Sequence, residues 1–483
     1  MLALLLCAGC QPSPVSTLNT VPDYFPAEAL PGGATSVSTK PFARFDKPVA
    51  NLAAGAKPHF YAGKALAQQP WIKAPATTDA RDGLGPIYNA RSCLACHIKG
   101  GKGRMPDDEQ TQVQHALVRM SITDPAGAKN PRDPKKMLPE PVYGEQLQTQ
   151  STALSHQLRG STFTNPATDD VKPEAYAYVR WHESTMTYPD GQTLNLRRPE
   201  LILRDLGYGP MHADTQLSLR LAPAILGMGL IELIPQAQID ALADEQDANG
   251  DGISGRVNWA WDAARGIRAP GRFSLKANRA FLDTTVAAAF AGDLGISNPV
   301  FPQQPCSAAQ TRCLSEATGN NAEGFELPAD LLELVVNFNR HLAVPKSRYS
   351  ETNTQGRTLF YQSQCASCHH PRFVTGNSEA FPALANQVIW PYSDFLLHDM
   401  GAALADNRPD FDATGQEWRT PPLWGLGLNT EVNGSHNLLH DGRARSVAEA
   451  ILWHGGEAEA AKNAFMQLSA GQREALVEFV GTL

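Results

Sequence analysis

Twice in this chain, two cysteines separated by two residues are followed at once by a histidine: Cys93-Leu-Ala-Cys96-His97 and Cys365-Ala-Ser-Cys368-His369. No other feature constrains the fold as tightly, because each stretch must present two thiols and an imidazole to a single object. The C-x-x-C-H spacing lets both thiols add to the vinyl groups of one haem while the following histidine coordinates its iron. Zinc takes the same ligand types, but a zinc site needs ligand pairs that converge within one module. Here each motif stands alone, so the expectation is two covalently bound haems c, with His97 and His369 as proximal ligands.

The chain has eight cysteines, and the other four sort around these motifs. Cys7 and Cys10 lie in Met1-Leu-Ala-Leu-Leu-Leu-Cys-Ala-Gly-Cys10, which resembles the end of a bacterial lipoprotein signal with Cys10 as lipid acceptor. No basic region precedes it, and the apolar run is shorter than the usual stretch of about 7–15 residues. Gln11 after the cysteine fits outer-membrane sorting. Residues 1–10 are therefore expected to direct export to the periplasm and a lipid anchor on the outer membrane. No internal stretch approaches the roughly 20 apolar residues of a membrane helix, so the membrane is reached through the lipid alone. Cys306 and Cys313 remain, and in an oxidising compartment they are expected to pair.

At about 150 residues per domain, 483 residues make two or three domains. A hydrophobic content of 42% supplies a sizeable core. The net charge of -8, without a long basic run, argues against nucleic acid as a partner. Residues 11–44 are rich in Ser, Thr and Pro and read as a flexible tether. Residues 45–344 form a first haem module with insertions, and residues 345–483 a C-terminal cytochrome c domain. Val344-Pro345-Lys346-Ser347 reads as the hinge between them. In the second module a short helix near Gln355–Gln362 leads into Cys365. Ser469 can cap a last helix with Gln472 as its capping-box partner, and Leu476, Phe479, Val480 and Leu483 then share one face. Pro223-Ala-Ile-Leu-Gly-Met-Gly-Leu230 parallels Pro421-Pro-Leu-Trp-Gly-Leu-Gly-Leu428, each well downstream of a C-x-x-C-H motif, as duplication of one haem module would leave it. The expected fold is mainly α: two cytochrome c-like haem modules with long loops and large insertions in the first.

Other residues carry candidate chemistry. Asp247-Ala-Asn249-Gly-Asp251-Gly252 matches the opening of a calcium loop, whose oxygens converge at alternate positions, although Asn258 rather than Glu stands twelfth. Asp247, Asn249 and Asp251 are the expected calcium ligands. Trp259 and Trp261 follow the loop and are candidates to relay electrons between haems. Glu232, just after the first repeat element, is a candidate proton donor for O–O cleavage. His115, Met120, His156, His182 and Met186 are all candidate distal ligands of the first haem, and an open position is an equal expectation.

His440-Asp441-Gly442, followed by Glu449-Ala450 and then His454-Gly455-Gly456, resembles the C-terminal haem module of bacterial di-haem cytochrome c peroxidases. There a His-Asp-Gly turn leads into a helix that ends near Met-Gly, and the methionine is the distal ligand. His454 stands at the matching spacing, so the resemblance implies a His369/His454 pair, with Met400, His398 and His440 as rivals. Replacing a thioether by imidazole lowers the haem potential. These peroxidases hold calcium between their haem modules, and the Asp247 loop lies between the two motifs.

Over roughly 80–483 the chain resembles the bacterial di-haem oxidoreductase family, whose members are named as peroxidases and also as thiol oxidoreductases. The matching stretches include Gly83-Leu-Gly-Pro-Ile-Tyr-Asn-Ala-Arg-Ser-Cys-Leu-Ala-Cys-His97, Tyr143-Gly-Glu-Gln-Leu-Gln148, Asp251-Gly-Ile-Ser-Gly-Arg256, Trp418-Arg-Thr-Pro-Pro-Leu-Trp-Gly-Leu-Gly427 and Leu439-His-Asp-Gly-Arg-Ala444. The family commonly has Trp where Leu275 stands. The resemblance implies reduction of hydrogen peroxide at the first haem. Electrons would enter at the second from a small donor such as cytochrome c or a cupredoxin. The alternatives are a pure electron-transfer cytochrome with both irons six-coordinate, and an oxidase of a protein partner.

Overall fold

A computed structural model describes residues 21–123, 137–152, 171–349 and 353–483. The signal-like segment and His156 lie outside the described residues.

The first module is framed by two crossed helices. Helix α1 (Lys57–Gln68) opens with Pro58 in its first turn and buries Phe60, Gly63, Leu66 and Ala67 along one face. Strand β1 (Ala116–Ser121) pairs antiparallel not with its neighbour in sequence but with a later strand. Between them, β2 (Tyr176–Thr187) and β3 (Thr193–Arg204) form a long antiparallel hairpin, with Tyr176 opposite Arg204 and Thr187 opposite Thr193. The partner of β1 is β4 (Gln216–Leu221), with Ala116 opposite Leu221. Then come α2 (Met228–Glu232), α3 (Leu282–Asp293) and α4 (Ala329–Arg340). Helix α4 buries Leu332, Val335, Val336 and Asn339 on one stripe, packs on α1, and closes the core around Phe60, Leu230, Phe290 and Phe338. Each such side chain contributes roughly 1.5–3 kcal/mol when buried.

The second module repeats this frame in the same chain order. Helix α5 (Thr354–Gln362) runs into Cys365, α6 (Val447–Leu452) follows the second repeat turn, and α7 (Ala470–Thr482) ends the chain. The capping box of α7 forms, with Gln472 Oε1 accepting from the Ser469 backbone N–H at 2.9 Å. Leu476, Phe479 and Val480 face the core. The two modules share a packing device. A side chain on Gly63 of α1 would collide with the Leu334 carbonyl and with Phe338, and one on Gly356 of α5 with the Ala475 carbonyl and Phe479. Likewise Gly229 abuts the Arg340 carbonyl and Gly427 the Gly481 carbonyl. Leu334, Phe338 and Arg340 have the same spacing as Ala475, Phe479 and Gly481, so the repeat read in the sequence extends to the helices that clamp it.

The expectation of a mainly α fold does not hold. The described residues are 29% helical and 17% strand and form six small two-stranded sheets. The cytochrome-like helices are present, but the insertions of the first module are built of strands. The β2–β3 hairpin has the reason written in its sequence: β-branched and aromatic residues flank Tyr188-Pro-Asp-Gly-Gln192, a turn-forming stretch. The hairpin reaches across to the second module. There Tyr188 and Leu196 join its core, Arg473 pairs with Asp190 at 2.6 Å, and Glu449 accepts from the Arg197 backbone N–H at 2.9 Å.

The tether expectation also fails for residues 21–44. Glu28 is buried, pairs with Arg357 at 3.0 Å and accepts from the Tyr392 hydroxyl at 2.9 Å. Val37 is bridged to Pro345, so the Val344–Ser347 stretch runs pinned against the N-terminal segment. Cys306 and Cys313 form a disulfide, as expected. No helix among the described residues is long and apolar enough to cross a membrane.

Candidate haem site

Both C-x-x-C-H motifs open onto one continuous cavity of about 520 Å³. Cys93, Cys96 and His97 line one end, and Cys365, Cys368 and His369 the other. The four motif cysteines are free, and burial pushes the thiols of Cys93, Cys96 and Cys365 up to about 12. They are therefore held as neutral thiols. At each end the proximal imidazole is oriented from behind. His97 Nδ1 donates to the Pro223 carbonyl at 2.6 Å, and His369 Nδ1 to the Tyr392 carbonyl at 3.0 Å. With Nδ1 protonated and donating, Nε2 keeps its lone pair for a metal. Burial also holds both rings neutral, pulling His369 down to about 4. Paired free thiols, a neutral histidine with a free Nε2 and a largely apolar wall are what a haem needs, and both ends supply them.

The cavity ends differ in their opposite walls. At the second end, α6 starts at Val447, and Ala450, Ile451, His454 and Ala458 line the cavity. His454 Nδ1 donates to the Ala450 carbonyl at 2.7 Å, leaving its Nε2 free, and burial favours its neutral form. At the first end, α3 starts at Leu282, and Thr285, Val286, Ala289 and Asp293 line the cavity. Counted from the first residue of each helix, the two sets of positions coincide. The place of His454 is taken by Ala289. No His, Met, Cys, Lys or Tyr occurs anywhere on α3.

The rivals of His454 are placed differently. His398 has both nitrogens engaged, Nε2 with Asp394 at 2.8 Å and Nδ1 with Glu457 at 2.7 Å, so it has no lone pair to offer iron. His440 lines the cavity but stacks on Trp418, with ring centroids 3.7 Å apart. Met400 lines the cavity as well. Of the described candidates for the first haem, His115 alone reaches the cavity. Met120 is buried in a separate core with Val118 and Tyr143, His182 pairs with Glu200 at 2.6 Å on the exposed face of the hairpin, and Met186 packs against the core of the second module.

Three further expectations are displaced. Glu232 does not line the cavity; its carboxylate is held by Arg340 at 2.6 Å, because α2 turns this face toward the end of α4. Trp259 is 47% exposed on a surface hairpin strand, and Trp261 lines a smaller cavity of about 100 Å³. The tryptophans that line the haem cavity are Trp418 and Trp424. Trp424 lies against Gly227, where the two repeat turns meet. Leu275, where the family commonly has Trp, lines the cavity beside them. In the calcium-like loop, both Asp247 oxygens accept from the Gly252 N–H at 3.2 Å, and Asp251 and Asn249 accept from nearby backbone N–H groups. The loop is tied to the second module through Ser254, whose N–H and hydroxyl donate to Glu457. Among the described residues, the cluster of three His, Cys, Asp or Glu ligand atoms within 4.8 Å of one another is Cys368, Asp394 and His398, not this loop.

The residues that sequence reasoning missed are those at the first end: Asp293, Gln146 and Arg119. Gln146 lies within a stretch that carries the family resemblance, but nothing in its spacing marks a role. The junction between the modules is braced by a buried ion cluster in which Arg220 meets Asp410 at 2.8 Å and Lys276 meets Asp406 at 2.7 Å. Its charges are matched, as burial requires.

Residues 24–483 match the family described as "Di-haem oxidoreductase, putative peroxidase". No curated protein matches. Among solved structures, the chain is similar to a hydrazine synthase of Kuenenia stuttgartiensis pressurised with 20 bar xenon. That likeness has 15% identity and a TM-score of 0.27, over 55% of this chain and 73% of that one, and it is too distant to bear on fold or function. The match over nearly the whole described chain, with a C-x-x-C-H motif at each end of one cavity, makes this protein a member of the di-haem oxidoreductase family, an oxidoreductase that works through haem.

Proposed function

We propose that the protein is an exported c-type cytochrome that reduces hydrogen peroxide to water, drawing electrons from a small redox protein such as a cytochrome c or a cupredoxin. The observation that carries this reading is the inequality of the two ends: Ala289 stands on α3 where His454 stands after α6. In the proposal, Cys93 with Cys96 and Cys365 with Cys368 hold the two macrocycles as thioethers. Were haem bound, His97 and His369 would hold the irons through Nε2, and His454 would offer its free Nε2 at the second end. When bound, a haem supplies one-electron chemistry and, where its sixth position is free, a place for a small ligand. The residues of the first end orient that ligand and move its protons. The second end, saturated by two histidines, is suited to accepting and passing electrons. A pure carrier would need a ligand at this first end as well, and α3 supplies none.

Covalent attachment of this kind is assembled outside the cytoplasm, which is why export and the Cys10 lipid anchor form part of the proposal. A calcium ion on Asp247, Asn249 and Asp251 belongs to it as well. Such an ion would stiffen the loop that Glu457 holds beside His454.

The test is the haem inventory together with turnover. Two haems per chain are expected to stay with the polypeptide after denaturation and acidic extraction. Cys93→Ser and Cys365→Ser should each weaken one of them. The reduced donor should be oxidised by peroxide at two equivalents per peroxide. Haem that extracts freely, or a holoprotein inert to peroxide with every donor tried, would remove the proposal.

A further inference from the structure

The open end of the cavity holds a polar group that the haem-binding residues do not account for. Asp293, the last residue of α3, faces the cavity and accepts a hydrogen bond from Gln146 Nε2 at 2.8 Å. Gln146 Oε1 in turn accepts from Arg119 Nη1 at 2.9 Å. All three line the cavity. Arg119 Nε is buried and has no hydrogen-bond partner. The main chain of Asp293 is fixed as well: its carbonyl accepts from the N–H groups of Asn89 and Ala90, just ahead of the first motif. A carboxylate, an amide that can donate and accept, and a guanidinium with a donor to spare are thus held in a hydrogen-bonded row. The row ends on α3, the helix that carries no His, Met, Cys, Lys or Tyr.

We infer that Asp293 is the acid–base group for peroxide at the first end, positioned by Gln146, with Arg119 stabilising charge on the departing oxygen. This rests on the reading that the first end holds a haem with an open position. The carboxylate takes the proton from the inner oxygen of hydrogen peroxide and delivers it to the outer oxygen. The O–O bond then breaks, and the outer oxygen leaves as water carrying both peroxide protons. Two electrons from two molecules of the one-electron donor, with two protons from solvent, turn the inner oxygen into a second water. The sum is H2O2 + 2 e⁻ + 2 H⁺ → 2 H2O. Burial raises Asp293 to about 6, while Arg119 from β1 and Arg279 from the segment before α3 pull it back toward the ionised form. A group with that balance can both take and return a proton near neutral pH. The other titratable groups facing it are the Cys93 and Cys96 thiols, which do not titrate once bound as thioethers. Glu145, at 3.6 Å from Arg119, offsets part of that cation.

The experiment is sodium fluoride binding to the oxidised holoprotein as a function of pH, followed by its absorbance change. A fluoride anion held beside Asp293 requires that carboxyl to be protonated, so affinity should fall about tenfold per pH unit above the carboxyl's own pKa. Asp293→Asn should bind fluoride with an affinity nearly independent of pH, and should lose at least about 100-fold in its rate with peroxide. Asp293→Glu, which keeps a carboxyl, should keep the slope. Both variants should retain two haems. An unchanged slope in Asp293→Asn would overturn the assignment while leaving the open position intact. A wild-type protein that takes no fluoride at any pH would instead show that the position is closed, and both readings would fall.

Discussion

Substituting Ala289 by histidine is expected to close the first end of the cavity and abolish peroxide turnover. The second module shows how the closure works. His454 sits two residues beyond α6, with its Nδ1 donating to the carbonyl four residues back, that of Ala450. Four residues before Ala289 is Thr285, which lines the cavity beside it, so an imidazole introduced there has the same carbonyl at the same spacing. Ala289 is only half-buried and looks onto open cavity, so the larger side chain enters empty space rather than packed core. The variant should therefore fold, with an unchanged far-UV spectrum. Its oxidised protein should contain two low-spin haems, and turnover should fall at least about 100-fold, some 2.7 kcal/mol in the barrier. Retention of most of the activity would mean that peroxide is handled elsewhere.

The complementary change, His454→Ala, should open the second end. The ring lines the cavity and donates to the Ala450 carbonyl, so little packing is lost. The second haem should turn high-spin in the oxidised state. Cyanide should then bind at about two equivalents per chain, where wild type takes about one and Ala289→His about none, if axial histidine is what blocks the site. The potential of the second haem should rise as it loses a strong imidazole donor. An unchanged spectrum would transfer the ligand role to Met400, which also lines this end.

What could be read in advance follows from how local each feature is. The two C-x-x-C-H motifs, the Cys306–Cys313 pair and the Ser469–Gln472 cap are decided within a few residues, and each was legible. The repeat around Pro223 and Pro421 was legible too, because a turn pressed between helix carbonyls tolerates only glycine at Gly229 and Gly427. The strands of the insertions are less legible: of them, β2 and β3 carry a local hairpin signal, the Asp190-Gly191 turn between them. Residues 21–44 looked like a tether by composition, but one buried pair, Glu28 with Arg357, anchors them. Glu232 lies next to a repeat element in sequence, but the orientation of α2 sends it to Arg340. The row of Arg119, Gln146 and Asp293 comes from a strand, a loop and a helix end, and only the tertiary fold brings them together. The most informative residue, Ala289, is an absence: an alanine carries no motif, and its meaning appears only when α3 is laid on α6.

The central claim is that the two irons are coordinated unequally, and electron paramagnetic resonance of the oxidised holoprotein tests it most directly. The account predicts one high-spin and one low-spin haem signal in equal amounts, with added fluoride or cyanide altering only the high-spin one. Two low-spin signals, unresponsive to either anion in both the oxidised and the one-electron-reduced protein, would contradict it.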